Sequence, residues 1–245
     1  MNRIESHESH SQSAGTGSFS DRVHEMVDTP IAGHLDQLRD KILLLGGAVE
    51  SAVERAIRSL TERNSDLAER VLAEDTAIDQ MELEIDRFCV DILASHKPAE
   101  HDLRLVVSVA KITPILERIA DHAASIAEAA IVLNNEPQVG SYVDYALMAE
   151  TASGMLREAL DAFTSEDADA SREIIRRDRQ IDDCYHRVFA ELIRSMVQRP
   201  DLAAGAARLL FVAKHLERIG DYVKDICELN VYLREAVFIK HTTDY

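Results

Sequence analysis

Residues 116–122 read Leu-Glu-Arg-Ile-Ala-Asp-His, and residues 216–222 read Leu-Glu-Arg-Ile-Gly-Asp-Tyr, the same phrase returning after 100 residues. Upstream of each copy stands a second matched pair. Asp75-Thr-Ala-Ile-Asp79 corresponds to Asp178-Arg-Gln-Ile-Asp182 at an offset of 103. Pro98 and Pro200 match at an offset of 102, and Thr61 and Thr164 at 103. Four landmarks at nearly one spacing mark an internal duplication.

Each copy has helical periodicity. Leu35, Leu38, Ile42, Leu45, Val49, Val53, Ala56 and Leu60 recur at steps of three and four, one apolar stripe along a helix beginning beyond Pro30. Ile78, Met81, Ile85, Phe88 and Ile92 repeat that step, and the pattern stops before Lys97-Pro98, because the residue preceding proline avoids the helical region. A third helix is expected from Asp102, as N-cap, to Leu133, with Pro114 kinking it or marking its first straight turn. Asn134, Asn135 and Pro137 break the period. The expected fold is therefore all-α: two tandem three-helix bundles over residues 21–136 and 137–245, behind a disordered tail at residues 1–20 that is rich in Ser, Gly and His.

Composition restricts the function. With 44 Asp and Glu against 27 Lys and Arg, the chain carries a formal charge of −17, which argues against nucleic acids and anionic membranes and in favour of cations and basic protein surfaces. Cys89, Cys184 and Cys227 are far apart and form no CxxC pair, so they are expected to pack as small apolar groups in a reducing cytoplasm. No stretch approaches the length of a membrane span.

The acids are not scattered. A helical residue advances about 100°, so positions i, i+4, i+7, i+8 and i+11 share a face. Asp75, Asp79, Glu82 and Asp86 lie on such a set, as do Glu217, Asp221, Asp225 and Glu228. Glu117, Asp121 and Glu128 form a third, with Ser125 in the remaining place, and Asp178 and Asp182 a fourth. No Lys or Arg stands three or four residues from the first stripe, whereas Arg218 and Lys224 flank Asp221. Ile112, Leu116, Ile119, Ala123 and Ile126 lie opposite Glu117 and Asp121, which turns the acids away from the core. Oxygen ligands arranged in this way suit an open, shallow site for a hard cation. A carboxylate-cluster metal enzyme is the alternative. It is weakened because Asp183-x-x-His186 is the nearest approach to a di-iron motif and no HExxH or Gly-x-Ser-x-Gly is present. His122, His186 and His215 read as flanking surface residues.

The Leu116–His122 and Leu216–Tyr222 phrases resemble the paired signatures of the PhoU family. Gly46-Gly47-Ala-Val-Glu50 and His96-Lys-Pro-Ala-Glu-His-Asp-Leu-Arg104 resemble family segments as well, and the likeness spans about residues 30 to 240. It implies a non-enzymatic regulator, cytoplasmic and peripheral to the membrane through its partners, often a homodimer. Such a protein restrains the phosphate-starvation response by linking the phosphate ABC transporter, through its ATPase, to a sensor histidine kinase. It also implies surface clusters of iron, zinc, manganese or magnesium. Carried over to this sequence, the ligands are Asp75, Asp79, Glu117, Asp121, Asp178, Asp182, Glu217 and Asp221, and Asp225 adds a charge where the family usually has Asn. With Ser125 at the equivalent place in the first copy, the second-copy site is expected to bind metal more tightly.

Overall fold

The structure is a computed structural model that describes residues 30–240 together with Arg22, Val23 and Met26. The expected tail at residues 1–20 lies outside the described residues. Among the described residues six long helices account for the fold: α1 (Ile31–Thr61), α2 (Ser65–Ser95), α3 (Glu100–Leu133), α4 (Val143–Ser165), α5 (Ala168–Gln198) and α6 (Ala203–Glu235). A single 3-10 turn, Pro200–Leu202, precedes α6, and no strand occurs among the described residues. Helices α1, α2 and α3 pack on one another, as do α4, α5 and α6. The all-α, twice-repeated three-helix architecture read from the sequence is the one observed.

The apolar stripes predicted for α1 and α2 face the core, with Met81 and Phe88 of the α2 stripe half-buried. Leu38, Ile42, Leu45, Val49, Val53, Ala56 and Leu60 are fully enclosed, and Ile78, Ile85 and Ile92 follow on α2. One core cluster runs through both repeats. It is continuous because α3 packs on α6 and α1 on α4. The α3–α6 pair is antiparallel: Arg104 Nε donates to the Leu233 carbonyl at 3.1 Å, and a Cβ on Gly205 would lie 3.8 Å from Leu133. Under the 100-residue offset Leu233 matches Leu133 and Arg104 matches Ala204, the neighbour of Gly205, so the axis relating the repeats passes between these helices. The α1–α4 pair closes to backbone distance at Gly46, where a Cβ would meet Leu160 Cδ1 at 2.3 Å. A side chain there would force the repeats apart.

The duplication extends to the turns. Arg63 and Glu166 both take left-handed backbone conformations, at φ 50° and 52°. Each is followed by a cap, Asn64 accepting from the Leu67 amide at 3.3 Å and Asp167 from the Ala170 amide at 2.9 Å. Each left-handed residue also reaches away from its own turn. Arg63 Nη2 donates to the carbonyls of Asn134 and Glu136, both at 2.7 Å, and so pins the linker between the repeats. The Glu166 carboxylate meets His101 Nε2 at 2.8 Å and Arg39 at 3.5 Å, both in the first repeat.

Helix α3 differs from expectation at its start. It begins at Glu100 with Ala99 at the cap position and no side-chain cap, so Asp102 sits inside the first turn. There its charge favours the positive end of the helix dipole rather than closing a cap. The helix runs without interruption through Pro114 to Leu133, and Thr113 Oγ1 donates to the Val109 carbonyl at 2.9 Å beside the place where proline supplies no N–H.

Candidate functional site

Helices α2 and α3 bring the first-repeat acids face to face. Burial, then Asp79, Asp121 and Glu128, push the Asp75 carboxyl above its ordinary range. Burial and the neighbours Asp86, Asp79 and Asp121 raise Glu82, with Arg118 opposing, and burial raises Asp86. Glu117 is pushed up to about 7 by burial, then by Asp121, Glu82 and Asp79, again against Arg118. Asp79 and Asp121 are exposed, and Asp75, Glu82, Asp86 and Glu117 are half-buried. The result is a ridge of carboxylates drawn from two helices, in which Asp79 and Asp121 add to the burial that raises Asp75, Glu82 and Glu117.

The second repeat places matching residues in matching positions and neutralises them. Lys224 Nζ lies 2.7 Å from Asp178 and 3.0 Å from Asp221. Arg218 meets Asp221 at 3.1 Å, Lys214 meets Glu217 at 2.5 Å, and Lys240 meets Asp225 at 3.4 Å. Asp182 is half-buried beside this network. Asp178 is only 4 % exposed, so the expectation that the acids all turn outward fails here. Burial pushes its carboxyl up while Lys224 pulls it down. The acid is admitted because position 220 is glycine: a Cβ there would meet Asp178 Oδ1 at 2.8 Å and Ile181 Cδ1 at 2.9 Å. The first repeat has Ala120 at the matching place. Sequence reading saw Lys224 within reach of Asp221 on its own helix, but its bond across to Asp178 depends on how α5 packs on α6.

Two histidines expected at the surface are instead paired. His122 Nδ1 and His215 Nδ1 are 2.8 Å apart where α3 crosses α6, and Tyr222 stacks on His122 with ring centroids 5.5 Å apart. Desolvation, then His215 and Arg218, hold His122 down at about 4, and burial lowers His215, so both rings are neutral near neutral pH. His186 is exposed, as expected. All three cysteines are buried and free.

Carboxylate oxygens are ligands for hard cations. Among the described residues, no three His, Cys, Asp or Glu side chains already converge tightly enough to hold an ion. The first-repeat ridge still fits a cation in its chemistry, since several mutually repelling acids lie there without a lysine between them. The second-repeat set fits poorly, because Lys224 already sits between Asp178 and Asp221. No described helix is long and apolar enough to cross a membrane.

The PhoU domain model matches this chain twice, over residues 42–130 and 145–229, one copy in each repeat. The chain belongs to the PhoU family. Its relatives include the phosphate-specific transport system accessory protein PhoU homolog of Pseudomonas putida, 38 % identical over 208 residues, covering 84 % of this chain and 81 % of that one. The Escherichia coli accessory protein PhoU is 32 % identical over 219 residues, covering 89 % and 91 %. Among solved structures, PhoU from Pseudomonas aeruginosa superposes with a TM-score of 0.82 at 36 % identity, covering 85 % of this chain and all of that one. The phosphate transport system regulatory protein PhoU from Streptococcus pneumoniae gives 0.80 at 30 %, covering 86 % and 99 %.

Proposed function

We propose that this PhoU-family chain is a non-enzymatic accessory protein of phosphate transport that restrains the phosphate-starvation response. It acts as an adaptor between the transporter's ATPase and a sensor histidine kinase, from the cytoplasmic side of the membrane. Support for the transport role comes from relatives named as phosphate-specific transport accessory proteins along most of the chain. The observation that carries the adaptor reading is the first-repeat ridge, where Glu117 rises to about 7 through burial and then through the crowding of Asp121, Glu82 and Asp79. A surface of that kind favours whatever brings positive charge to it, whether a basic protein element or a metal ion.

Magnesium, manganese, iron or zinc would be held by Asp75, Asp79, Glu117 and Asp121. A bound ion there would supply the charge that lets these carboxylates stay ionised together. This reverses the order expected from sequence: the first repeat is the tighter site, since at Asp178, Glu217, Asp221 and Asp225 a cation must displace lysines already in place. Homodimerisation belongs to the same reading and rests on the family resemblance.

The test is an alkaline phosphatase reporter of phosphate starvation in cells deleted for this chain and grown in excess phosphate. Constitutive activity, silenced by the intact gene and not by Glu117→Ala/Asp121→Ala, supports the adaptor reading. A reporter that stays silent in the deletion strain refutes it. Isothermal titration of Mn²⁺ into Glu117→Ala and Glu217→Ala proteins checks the ranking, which falls if the second variant loses more affinity.

A further inference from the structure

The twofold relation between α3 and α6 creates two equivalent grooves, and the described residues cover only one of them. After α6, Ala236 takes a left-handed conformation at φ 59° and the chain turns back along the helix. Phe238 stacks on Tyr232 with ring centroids 4.1 Å apart and nearly parallel planes. Lys111 Nζ lies 5.3 Å from the Phe238 centroid, Ile239 is buried, and Lys240 reaches Asp225. These residues roof a cavity of about 300 Å³ against Ile115 and Leu229. The segment Val-Phe-Ile-Lys thus lies in the groove with its aromatic ring on the helix surface and its lysine on an acid.

Under the 100-residue offset, Lys111 and Tyr232 correspond to Phe211 and Val132. Lys111 lies 6.0 Å from the Tyr232 ring centroid and lines one cavity with Glu228, so the offset puts their counterparts Phe211, Val132 and Glu128 on the matching stretch of α6 and α3. Phe211 is 66 % exposed and Val132 38 %. The first repeat cannot roof this groove as the second does. Where the second repeat turns back, the first continues into α4: Arg63 holds Asn134 and Glu136, and Val139 packs beside Gly205 at the start of α6, away from Phe211. The groove also differs in charge. Lys111 has been replaced by a phenylalanine, and Glu128 stands close enough to the acidic ridge to raise Asp75.

We propose that this groove is a docking site for an extended segment of a partner protein, in which an aromatic or large aliphatic residue is followed closely by Lys or Arg. The segment follows the path of Phe238, Ile239 and Lys240 in the equivalent groove, with its ring on Phe211 and Val132; Ser125 stands where Asp225 meets Lys240, so its basic residue turns instead toward Glu128, the counterpart of Glu228. Charge complementarity selects the basic residue, and the exposed apolar pair selects the ring. The inference rests on the adaptor reading for its biological setting and gives that adaptor a specific contact surface.

The probe is a fluorescein-labelled peptide of residues 235–240, Glu-Ala-Val-Phe-Ile-Lys, followed by fluorescence anisotropy against the full chain. Saturable binding on the order of 100 μM is expected, weakened at least tenfold by Phe211→Asp and several-fold by Glu128→Lys, and unchanged by Lys111→Ala. Phe211 and Glu128 are exposed, so circular dichroism should show both variants folded. Three results overturn the proposal: no saturable binding; binding lost with Lys111→Ala instead, which means that the peptide displaced the chain's own C-terminal segment; or a dimer in light scattering that Phe211→Asp dissociates, which means that a second copy fills the groove. The starvation reporter is independent of the probe. A silent deletion strain with intact peptide binding sinks the adaptor reading alone, and absent binding with a responsive reporter sinks the groove alone.

Discussion

Glu117→Gln should make the protein more stable above neutral pH. Folding moves this carboxyl from 4.5 to about 7, chiefly through burial and then through Asp121, Glu82 and Asp79. Between those values the folded chain holds a proton that the unfolded chain releases, so stability falls as pH rises through that window and is flat beyond it. A shift of this size corresponds to roughly 3 kcal/mol at about 1.4 kcal/mol per unit. Glu117 is half-buried, and solvent screening brings the expected effect down to about 1–2 kcal/mol. Glutamine keeps the shape and removes the charge. The assay is urea unfolding by circular dichroism near pH 5 and near pH 8, with chelator present. Wild type should weaken between the two, and the variant should weaken less, leaving it about 1–2 kcal/mol ahead near pH 8, or several degrees in Tm for a chain of this size. Adding Mn²⁺ near pH 8 should stabilise wild type more than the variant. If the variant gains nothing near pH 8, the crowding argument for the first-repeat ridge is wrong.

Lys224→Met leaves the buried Asp178 without its cation and should cost about 3 kcal/mol in urea unfolding; adding Asp178→Asn should recover most of that loss. Gly46→Val drives a side chain into Leu160 and should cost about 2 kcal/mol, whereas Gly47→Ala, with nothing within 4 Å of its Cβ, should gain up to about 1 kcal/mol. Arg63→Ala releases the Asn134 and Glu136 carbonyls, and limited proteolysis should then cut between residues 134 and 142 faster than in wild type.

The helices were legible because their apolar stripes keep one period from Leu35 to Leu60 and again along α2. Repetition of the Leu116 and Leu216 phrases gave the architecture. The start of α3 was missed because Asp102 is a good cap residue by type, while the chain leaves Pro98 and becomes helical from Glu100 without one. At the candidate site, the acid faces could be read from spacing along single helices. What could not be read was the relation between helices. Asp178 and Lys224 are 46 residues apart and meet only because α5 lies on α6, and His122 and His215 meet only where the repeats cross. Phe211 carries no signal of its own in the sequence; its exposure and the covered counterpart of its groove single it out. One signal for Asp178 was available in the sequence, the difference between Ala120 and Gly220, since a missing methyl in a duplicated phrase marks a place where something comes close.

That same difference constrains how the two halves can drift apart. Asp178 needs the space above Gly220 and the charge of Lys224, Lys224 spans Asp178 and Asp221, and Gly220 would gain from a methyl only once Asp178 is shortened. No member of this set can change first without loss, so the second half is held to its present residues by order of events as much as by fitness. The first half carries no such interlock around Ala120. Descendants of this chain should therefore vary sooner at its acidic ridge than at the matching positions one repeat later.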